Sequence, residues 1–251
     1  MSRLQKAASI LAGFVLLLLA WQLISWIGGY NESLFPPPLK VWQAFVELVQ
    51  DGTLFADIKI SMYRFVVGYL MAVAAGILLG LLIGRISLLW AVLDPIVQVL
   101  RPVAPIAWSP FIVLWFNLGT ASAIVMIFIA GFYPMLLTTV AAARKVDQAY
   151  LQVAHNFELK QRRIITKVVI PSIFPQITHG LRLALGMSWI FLVSGEMVGA
   201  QSGLGFLIED GRNLLRLDYV FVAIATIGVI GMLLDQLIQL FERWVDKQWG
   251  R

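Results

Sequence analysis

The chain of 251 residues contains no cysteine, and Asp, Glu, Lys and Arg together make up only 13% of it. The absence of cysteine excludes disulfides, thiolate zinc sites and iron–sulfur clusters. A soluble domain has about 25% charged residues, whereas this chain is 60% hydrophobic. Such a small number of charged side chains cannot cover the surface of the protein. Lipid must therefore be the solvent over much of that surface. This excludes a soluble enzyme, a disordered tail and a nucleic-acid binder. The net charge of +5 fits basic cytoplasmic loops.

Long apolar runs are the dominant pattern. A transmembrane helix needs roughly 20 mostly apolar residues. We therefore predict an all-α polytopic membrane protein with six transmembrane helices, at residues 7–27, 62–84, 103–118, 121–143, 181–199 and 220–241. The shorter run 88–100 is expected to form a helix at the cytoplasmic face, which the Pro102/Pro105 pair kinks into the third span.

The basic residues predict the orientation. If both termini are cytoplasmic, five of the 19 Lys and Arg residues fall in outer segments and the other 14 in inner ones. This bias matches the positive-inside rule, and the reverse topology violates it. The outer five are Lys40, Lys59, Arg64, Arg212 and Arg216.

Residues 28–60 form the longest outer segment and should contain a short helix. Three prolines, which suit the first turn of a helix, precede an apolar stripe. Asp51 and Gly52 should end this helix. The stripe consists of Trp42, Phe45, Val46 and Val49.

Small residues at a spacing of four mark two of the predicted spans. This spacing places them on one helix face, where a second backbone can approach closely. Packing within the bundle and dimerisation of two subunits both remain open. The residues are Gly68, Ala72, Gly76, Gly80 and Gly84 in the second span, and Gly195, Gly199 and Gly203 at the end of the fifth.

The predicted cytoplasmic loop 144–180 contains an amphipathic helix. Asp147 can cap its start, and basic residues lie where its dipole is negative. Pro171 and Pro175 are expected to break the chain before the fifth span. A helix lying on anionic lipid and a helix docking in a groove of a cytoplasmic partner remain equally open. The apolar stripe is formed by Tyr150, Val153, Ala154 and Phe157.

Few residues could carry chemistry. No phosphate-binding G-x-x-x-x-G-K-S/T motif is present, and His155 and His179 are too isolated to predict a metal site. Glu196 and Asp235 lie inside apolar runs, where carboxylates are costly and often functional. Glu196 is expected to accept N–H groups from the glycine-rich turn 199–205. Asp235 is expected to pair with a basic residue such as Arg101 or Arg182.

Several stretches resemble the permeases of binding-protein-dependent ABC importers, in particular their nitrate, sulfonate and taurine subfamily. The region 152–171 resembles the EAA loop of these permeases. Ala154 and Pro171 fit that motif, whereas Gln152, Val153 and Glu158 depart from it, Glu158 standing where a glycine is usual. Further likeness lies in the stretches LFPPP at 34–38, DP at 94–95 with LRPVAPIAWSP at 100–110, GLRLALGMSW at 180–189 and EMVGAQSGLG at 196–205.

The resemblance implies the transmembrane fold of a type I ABC importer in a bacterial inner membrane. It implies a homodimeric permease, a separate cytoplasmic ATPase that binds ATP and Mg²⁺, and a periplasmic or lipid-anchored solute-binding protein. Residues 1–60 would then form a transmembrane anchor and outer helix, and residues 61–251 a five-helix permease core. The residues implied in coupling to the ATPase are Asp147, Tyr150, Val153, Ala154, Phe157, Glu158 and Pro171.

The same likeness predicts import of a small anion such as nitrate, a sulfonate, taurine or bicarbonate. No cofactor or metal is expected on this chain. An ion-coupled secondary transporter that uses Glu196 and Asp235 is the alternative, and an intramembrane enzyme or scaffold is a third class. The residues expected to line the solute path are Trp108, Ser109, Asn117, Ser188, Trp189 and Glu196.

Overall fold

The computed structural model describes residues 3–28, 34–145, 164 and 170–248. Every regular element in these ranges is a helix. The α-helices are α1 Arg3–Ile27, α2 Pro38–Gln50, α3 Thr53–Arg85, α4 Ser87–Leu100, α5 Ser109–Phe116, α6 Thr120–Arg144, α7 Ile170–Gly199, α8 Leu204–Asn213 and α9 Leu217–Gln248, with a 3₁₀ turn at Pro105–Trp108.

Within the described ranges, four helices are long and apolar enough to cross a membrane: α3, α6, α7 and α9. Helix α4 and the segment Pro105–Phe116 form a further candidate span, bent by 88°. Helix α1 contains the shorter apolar helix Val15–Ile27. Four spans and one bent pair are compatible with the six predicted crossings, and the number six stays a prediction.

Helices α3 and α6 run parallel and in close contact. The small residues of α3 each face one residue of α6, always 59 positions later: a Cβ on Gly68 would lie 2.8 Å from the Cβ of Ile127, and one on Gly76 2.7 Å from that of Met135. Gly84 faces Ala143 in the same way. The stripe therefore packs one chain's own helices together.

Helix α7 packs antiparallel to α6 through its own small residues. Gly195 faces Met126, whereas Gly180, near the start of α7, faces Thr138. Gly199 follows the same course and lies against Ser122, whose Oγ would be 2.7 Å from a Cβ at that position. Helix α6 is therefore held between α3 and α7.

The third predicted span, 103–118, is not one continuous helix. It consists of the 3₁₀ turn and the eight-residue α5, because the prolines at 102, 105 and 110 interrupt the backbone N–H ladder. Because α3 and α6 are parallel, the chain between them must run back from the end of α3 to the start of α6. That distance is roughly 32 Å, the length of α3 from Arg64 to Arg85. The bent pair provides this return, and α4 is the short helix that was expected.

Proline does not break the chain before the fifth span. Helix α7 begins at Ile170 and includes both Pro171 and Pro175, so that prediction was wrong. Pro171 lies in the first turn, where no backbone N–H is needed. The span is therefore eleven residues longer at its start than predicted.

Helix α2 packs on the bundle. Ala44 and Leu48 are its buried residues, in contact with a core that includes Leu204 and Val222. Trp42, expected in the apolar stripe, is 60% exposed. The helix ends at Asp51 and Gly52 as predicted, with Gly52 in the left-handed region at φ +82°.

Candidate functional site

A group of polar side chains is buried at the end of the bundle where α6 and α8 begin, here called the cluster end. Asp57, Ser61 and Arg64 lie one and two turns apart on α3 and therefore share one face. Glu196, near the end of α7, points into the same space. Arg64 is 2% exposed and Glu196 0% exposed. Burying two charges is costly unless they pair and every polar atom finds a partner.

Glu196 has such partners. Its Oε1 accepts a hydrogen bond from Arg64 Nη1 at 2.8 Å. Ser61 Oγ lies 2.8 and 2.9 Å from the two carboxylate oxygens, and the Gly205 N–H donates to Oε2 at 2.9 Å. This carboxylate was predicted to accept N–H groups from the glycine-rich turn, and it accepts one of them, that of Gly205.

Arg64 connects four segments of the chain. Besides Glu196, it donates to the Ser202 carbonyl at 2.6 Å and to Ser202 Oγ at 2.9 Å. Its Nε and Nη2 lie 3.4 and 3.3 Å from Oγ1 of Thr120, the first residue of α6. Because guanidinium is planar and presents five donors, it can hold several acceptors in fixed directions. We call Asp57, Ser61, Arg64, Glu196 and Ser202 the buried brace.

The brace also caps helix α8. The first N–H groups of a helix lack partners within it. Here Gly203 N–H donates to Asp57 at 2.7 Å and Leu204 N–H donates to Ser61 Oγ at 2.9 Å, while Gly205 is held by Glu196. Carboxylates at this end of a helix also interact favourably with its dipole. Side chains from α3 and α7 thus replace an ordinary N-cap.

Gly203 does not pack two helices together, contrary to the prediction. It lies in the turn before α8, with φ +104°, a conformation that L side chains rarely adopt. A Cβ at this position would come within 2.6 Å of Glu196 Cδ. Glycine is therefore required here so that the turn can approach the carboxylate.

Arg64 is the main functional candidate that sequence reasoning missed. It was counted among the outer basic residues, but it is buried inside the bundle. A signal was present: Arg64 stands four residues before Gly68 and so extends the small-residue stripe of α3 by one position.

The opposite end, here called the cavity end, contains an open cavity of about 1030 Å³. Arg101, Arg144 and Lys145 provide positive charge in its wall, and Glu242 and Asp246 of α9 provide negative charge. Arg144 also lies over the Trp90 ring at 5.9 Å. The segment between α6 and α7 leaves and re-enters the described structure at this end.

Asp235 pairs with Arg182, one of the two predicted partners. Arg182 Nε donates to Asp235 Oδ1 at 3.0 Å, and Gln239 donates to the other oxygen at 2.6 Å. Both charged side chains are partly exposed, 39% and 44%, so the pair contributes little to stability. It nevertheless joins α7 to α9 near the cavity end.

The predicted path residues do not share one surface. Ser188 is 0% exposed and donates to the Ile127 carbonyl at 3.1 Å. Trp189 donates to the Ile227 carbonyl at 3.3 Å and is 7% exposed. With Glu196 in the brace, three of the six lie in helix contacts. Ser109 is also buried, Trp108 is partly exposed and Asn117 is exposed.

Most predicted coupling residues lie outside the described residues; these are Asp147, Tyr150, Val153, Ala154, Phe157 and Glu158. Pro171 lies in the first turn of α7. Among the described residues, no group of three or more His, Asp or Glu side chains could hold a metal ion.

Comparison with known proteins shows the family. Residues 72–247 match the family model described as "Binding-protein-dependent transport system inner membrane component". The chain is 38% identical to the nitrate import permease protein NrtB of Leptolyngbya laminosa, over 90% of this chain and 82% of that protein. It is 30% identical to the taurine transport system permease protein TauC of Escherichia coli, over 90% and 84%.

A solved structure shares the fold. An inward-facing form of the MetNI methionine ABC transporter aligns with 81% of this chain and 96% of its own, at a TM-score of 0.60 and 20% identity. At this identity the likeness shows the fold alone. The family match covers more than half of the chain, and both relatives are matched over most of their length. This chain therefore belongs to the binding-protein-dependent transport system inner membrane components, the permease subunits of ABC importers.

Proposed function

We propose that this permease imports a small anion of the nitrate, sulfonate, taurine or bicarbonate class, as a homodimer driven by a separate cytoplasmic ATPase. The observation that carries the proposal is the match to the nitrate and taurine permeases over more than 80% of their length. ATP and Mg²⁺ would bind to the ATPase, and a periplasmic or lipid-anchored binding protein would deliver the solute.

The cavity end is proposed to face the cytoplasm. Among the described residues, the basic side chains at this end are Arg85, Arg101, Arg144, Lys145, Arg182, Arg243 and Lys247. The cluster end has only Lys40, Lys59, Arg212 and Arg216 outside the buried brace. This asymmetry is what the positive-inside rule requires of a cytoplasmic end. Arg64 is buried and no longer counts as an outer basic residue, so the asymmetry between the two ends is larger than the sequence predicted.

The packing supports a route for movement from the ATPase to the solute path. The segment 145–169 connects the end of α6 to the start of α7. These two helices are in close contact from Gly180 to Gly199, so a displacement of their cavity ends must move both as one body. The buried brace holds the far end of α7 against α3 and the start of α6. Helix α3 contacts α6 as far as Gly84 and Ala143 at the cavity end, so we propose that closure of the ATPase dimer moves α3, α6 and α7 together and opens the cavity outward.

The structure gives the ion-coupled alternative little support. A proton or cation site needs a carboxylate that can lose or exchange its partner. Glu196 is fully enclosed by Arg64, Ser61 and the turn before α8, and Asp235 is paired with Arg182. Both acids that suggested ion coupling thus have a basic partner on another helix, Glu196 on α3 and Asp235 on α7.

A reconstituted transport assay tests the proposed function. The permease, with the ATPase and binding protein encoded by neighbouring genes, is placed in liposomes and offered nitrate, taurine and bicarbonate separately. We expect uptake of one of these solutes that needs ATP and persists after an ionophore collapses the proton gradient. Uptake that continues without ATP and stops with the ionophore would instead establish the ion-coupled alternative.

The coupling loop gives a second prediction. Replacing Ala154 with Glu should reduce stimulation of ATPase activity by the permease at least tenfold. Ala154 is the small residue of the apolar stripe that is proposed to enter the partner's groove, and a larger, charged side chain would not fit there. ATPase activity and recovery of the ATPase in a pull-down measure the effect. Ala56→Glu, the same change at an exposed position of α3 at the cluster end, is the matched control. Equal stimulation and recovery for both variants would contradict docking through this helix and favour the lipid-bound one.

A further inference from the structure

Two leucines project from the turn between α8 and α9 at the cluster end. Leu214 is 61% exposed and Leu215 is 64% exposed. We call this pair the leucine tip. Single exposed apolar residues are ordinary on a protein surface, but here two adjacent ones lie in the same short turn.

The backbone of the leucine tip is unusual for leucine. The Arg216 N–H donates to the Gly211 carbonyl at 2.8 Å and the Leu215 N–H to the Arg212 carbonyl at 3.2 Å. This is the common way to end a helix, and its left-handed position is most often occupied by glycine. Leu215 occupies that position at φ +56°. A leucine that is strained and largely exposed contributes little to folding, so its presence points to a role outside the chain.

The leucine tip is held rigidly by the residue that follows it. Arg216 donates to Asp218 at 2.9 Å and to Glu47 of α2 at 2.9 Å, and its guanidinium lies 3.9 Å from the centre of the Tyr219 ring. The hydrogen bond from Arg216 lowers the pKa of Glu47, and the bond to Asp218 raises the pKa of Arg216. A rigid contact loses less conformational entropy on binding than a mobile one.

The charges around the leucine tip argue against burial in lipid. Four carboxylates, those of Glu47, Glu209, Asp210 and Asp218, surround it together with two guanidiniums, those of Arg212 and Arg216. Charged groups avoid hydrocarbon, so this turn lies at or above the headgroups. Its net charge of −2 is repelled by anionic lipids. The complementary surface is an apolar depression with basic residues at its rim, a feature of a protein partner.

We propose that the leucine tip is a docking contact for the solute-binding protein of this importer. The inference rests on the proposed function and on the cluster end facing outward. The two leucines would enter an apolar depression between basic residues on the binding protein, and the rigid turn would fix the distance between its solute and the permease.

Binding measurements test the proposal with a change that should not harm the fold. Leu215→Gly relieves the left-handed strain, and Leu214→Ser removes the second apolar side chain. We expect the double variant to bind the binding protein encoded by the neighbouring gene at least tenfold more weakly in lipid nanodiscs, with a thermal midpoint equal to or above that of the unchanged permease. Leu39→Ser, at another exposed leucine of the same end (67% exposed), should leave the affinity unchanged.

The two possible failures are distinguishable. If the unchanged permease binds the protein and the double variant binds it equally well, the leucine tip is not the contact. If the unchanged permease does not bind it at all, while the reconstituted system also fails to transport, the proposed function is wrong and this inference falls with it.

The absence of native cysteine permits a direct test of what covers the leucine tip. Leu214→Cys carries an environment-sensitive fluorophore, and Leu39→Cys is the control. We expect the label at position 214 to be open to iodide quenching in vesicles and to become protected when the binding protein is added. Protection by vesicles alone would show a lipid contact, and disulfide-linked dimers of the unlabelled Leu214→Cys permease, formed with an added mild oxidant, would show a second copy; either result overturns the proposal.

Discussion

Replacing Arg64 with methionine should lower the free energy of unfolding by about 3–5 kcal/mol, the usual cost of removing one partner of a buried ion pair. The Glu196 carboxylate would remain 0% exposed without the cation that neutralises it. The Ser202 carbonyl and the start of α6 would lose their donor as well. The measurement is reversible unfolding in detergent micelles, followed by far-UV circular dichroism.

A double variant shows how much of this loss comes from the charge left unpaired on Glu196. Arg64→Met with Glu196→Gln removes both charges, and it should recover a large part of the loss because no uncompensated charge remains. Arg212→Met is the control, since Arg212 is 62% exposed and exposed ion pairs contribute at most about 1 kcal/mol. If Arg64→Met costs no more than the control, the buried brace does not hold the turn before α8.

The buried brace explains why an ion pair stands where apolar residues would pack more simply. Side chains from α3 and α7 bind the N–H groups of Gly203, Leu204 and Gly205 at the start of α8. Arg64 also donates to Thr120, the first residue of α6. An apolar replacement could fill the same volume but could not direct these groups. Helix α8 leads to the leucine tip, so the same side chains position the outer surface.

The regular parts of the fold could be predicted because lipid imposes a simple rule on the sequence. Unbroken apolar runs reproduced α6 to within one residue at each end and located α9. The small residues of α3 correctly indicated close backbone contact. Which helix they contact was not predictable, since the facing residues of α6, such as Ile127 and Met135, have no special pattern.

The remaining features depend on contacts between residues far apart in the sequence. Arg64 and Glu196 are separated by 132 positions, and only the folded bundle shows that the basic residue is buried with the acidic one. Proline was also a poor guide. At 102, 105 and 110 it interrupts a predicted span, yet Pro171 and Pro175 lie within α7, Pro171 in the first turn, where no backbone N–H is needed.

Adding a methyl group at two glycines of α3 should push this helix away from α6. Gly76→Ala and Gly80→Ala place a Cβ 2.7 Å from Met135 Cβ and 2.6 Å from Thr139 Cβ, closer than carbon atoms can approach. Overpacking of this kind costs about 1–3 kcal/mol at each site, so we expect the double variant to lose about 2–6 kcal/mol of unfolding free energy. Denaturant titration of the purified permease measures it.

The same substitution elsewhere provides the control. A Cβ on Gly228 of α9 meets nothing within 4 Å, so Gly228→Ala should leave stability unchanged or raise it by up to about 1 kcal/mol through better helix propensity. The opposite signs expected at Gly80 and Gly228 follow from packing alone, since propensity favours alanine at both. If Gly76→Ala and Gly80→Ala were as stable as Gly228→Ala, α3 and α6 could not be in direct contact along this stripe, and movement of α6 would not depend on α3.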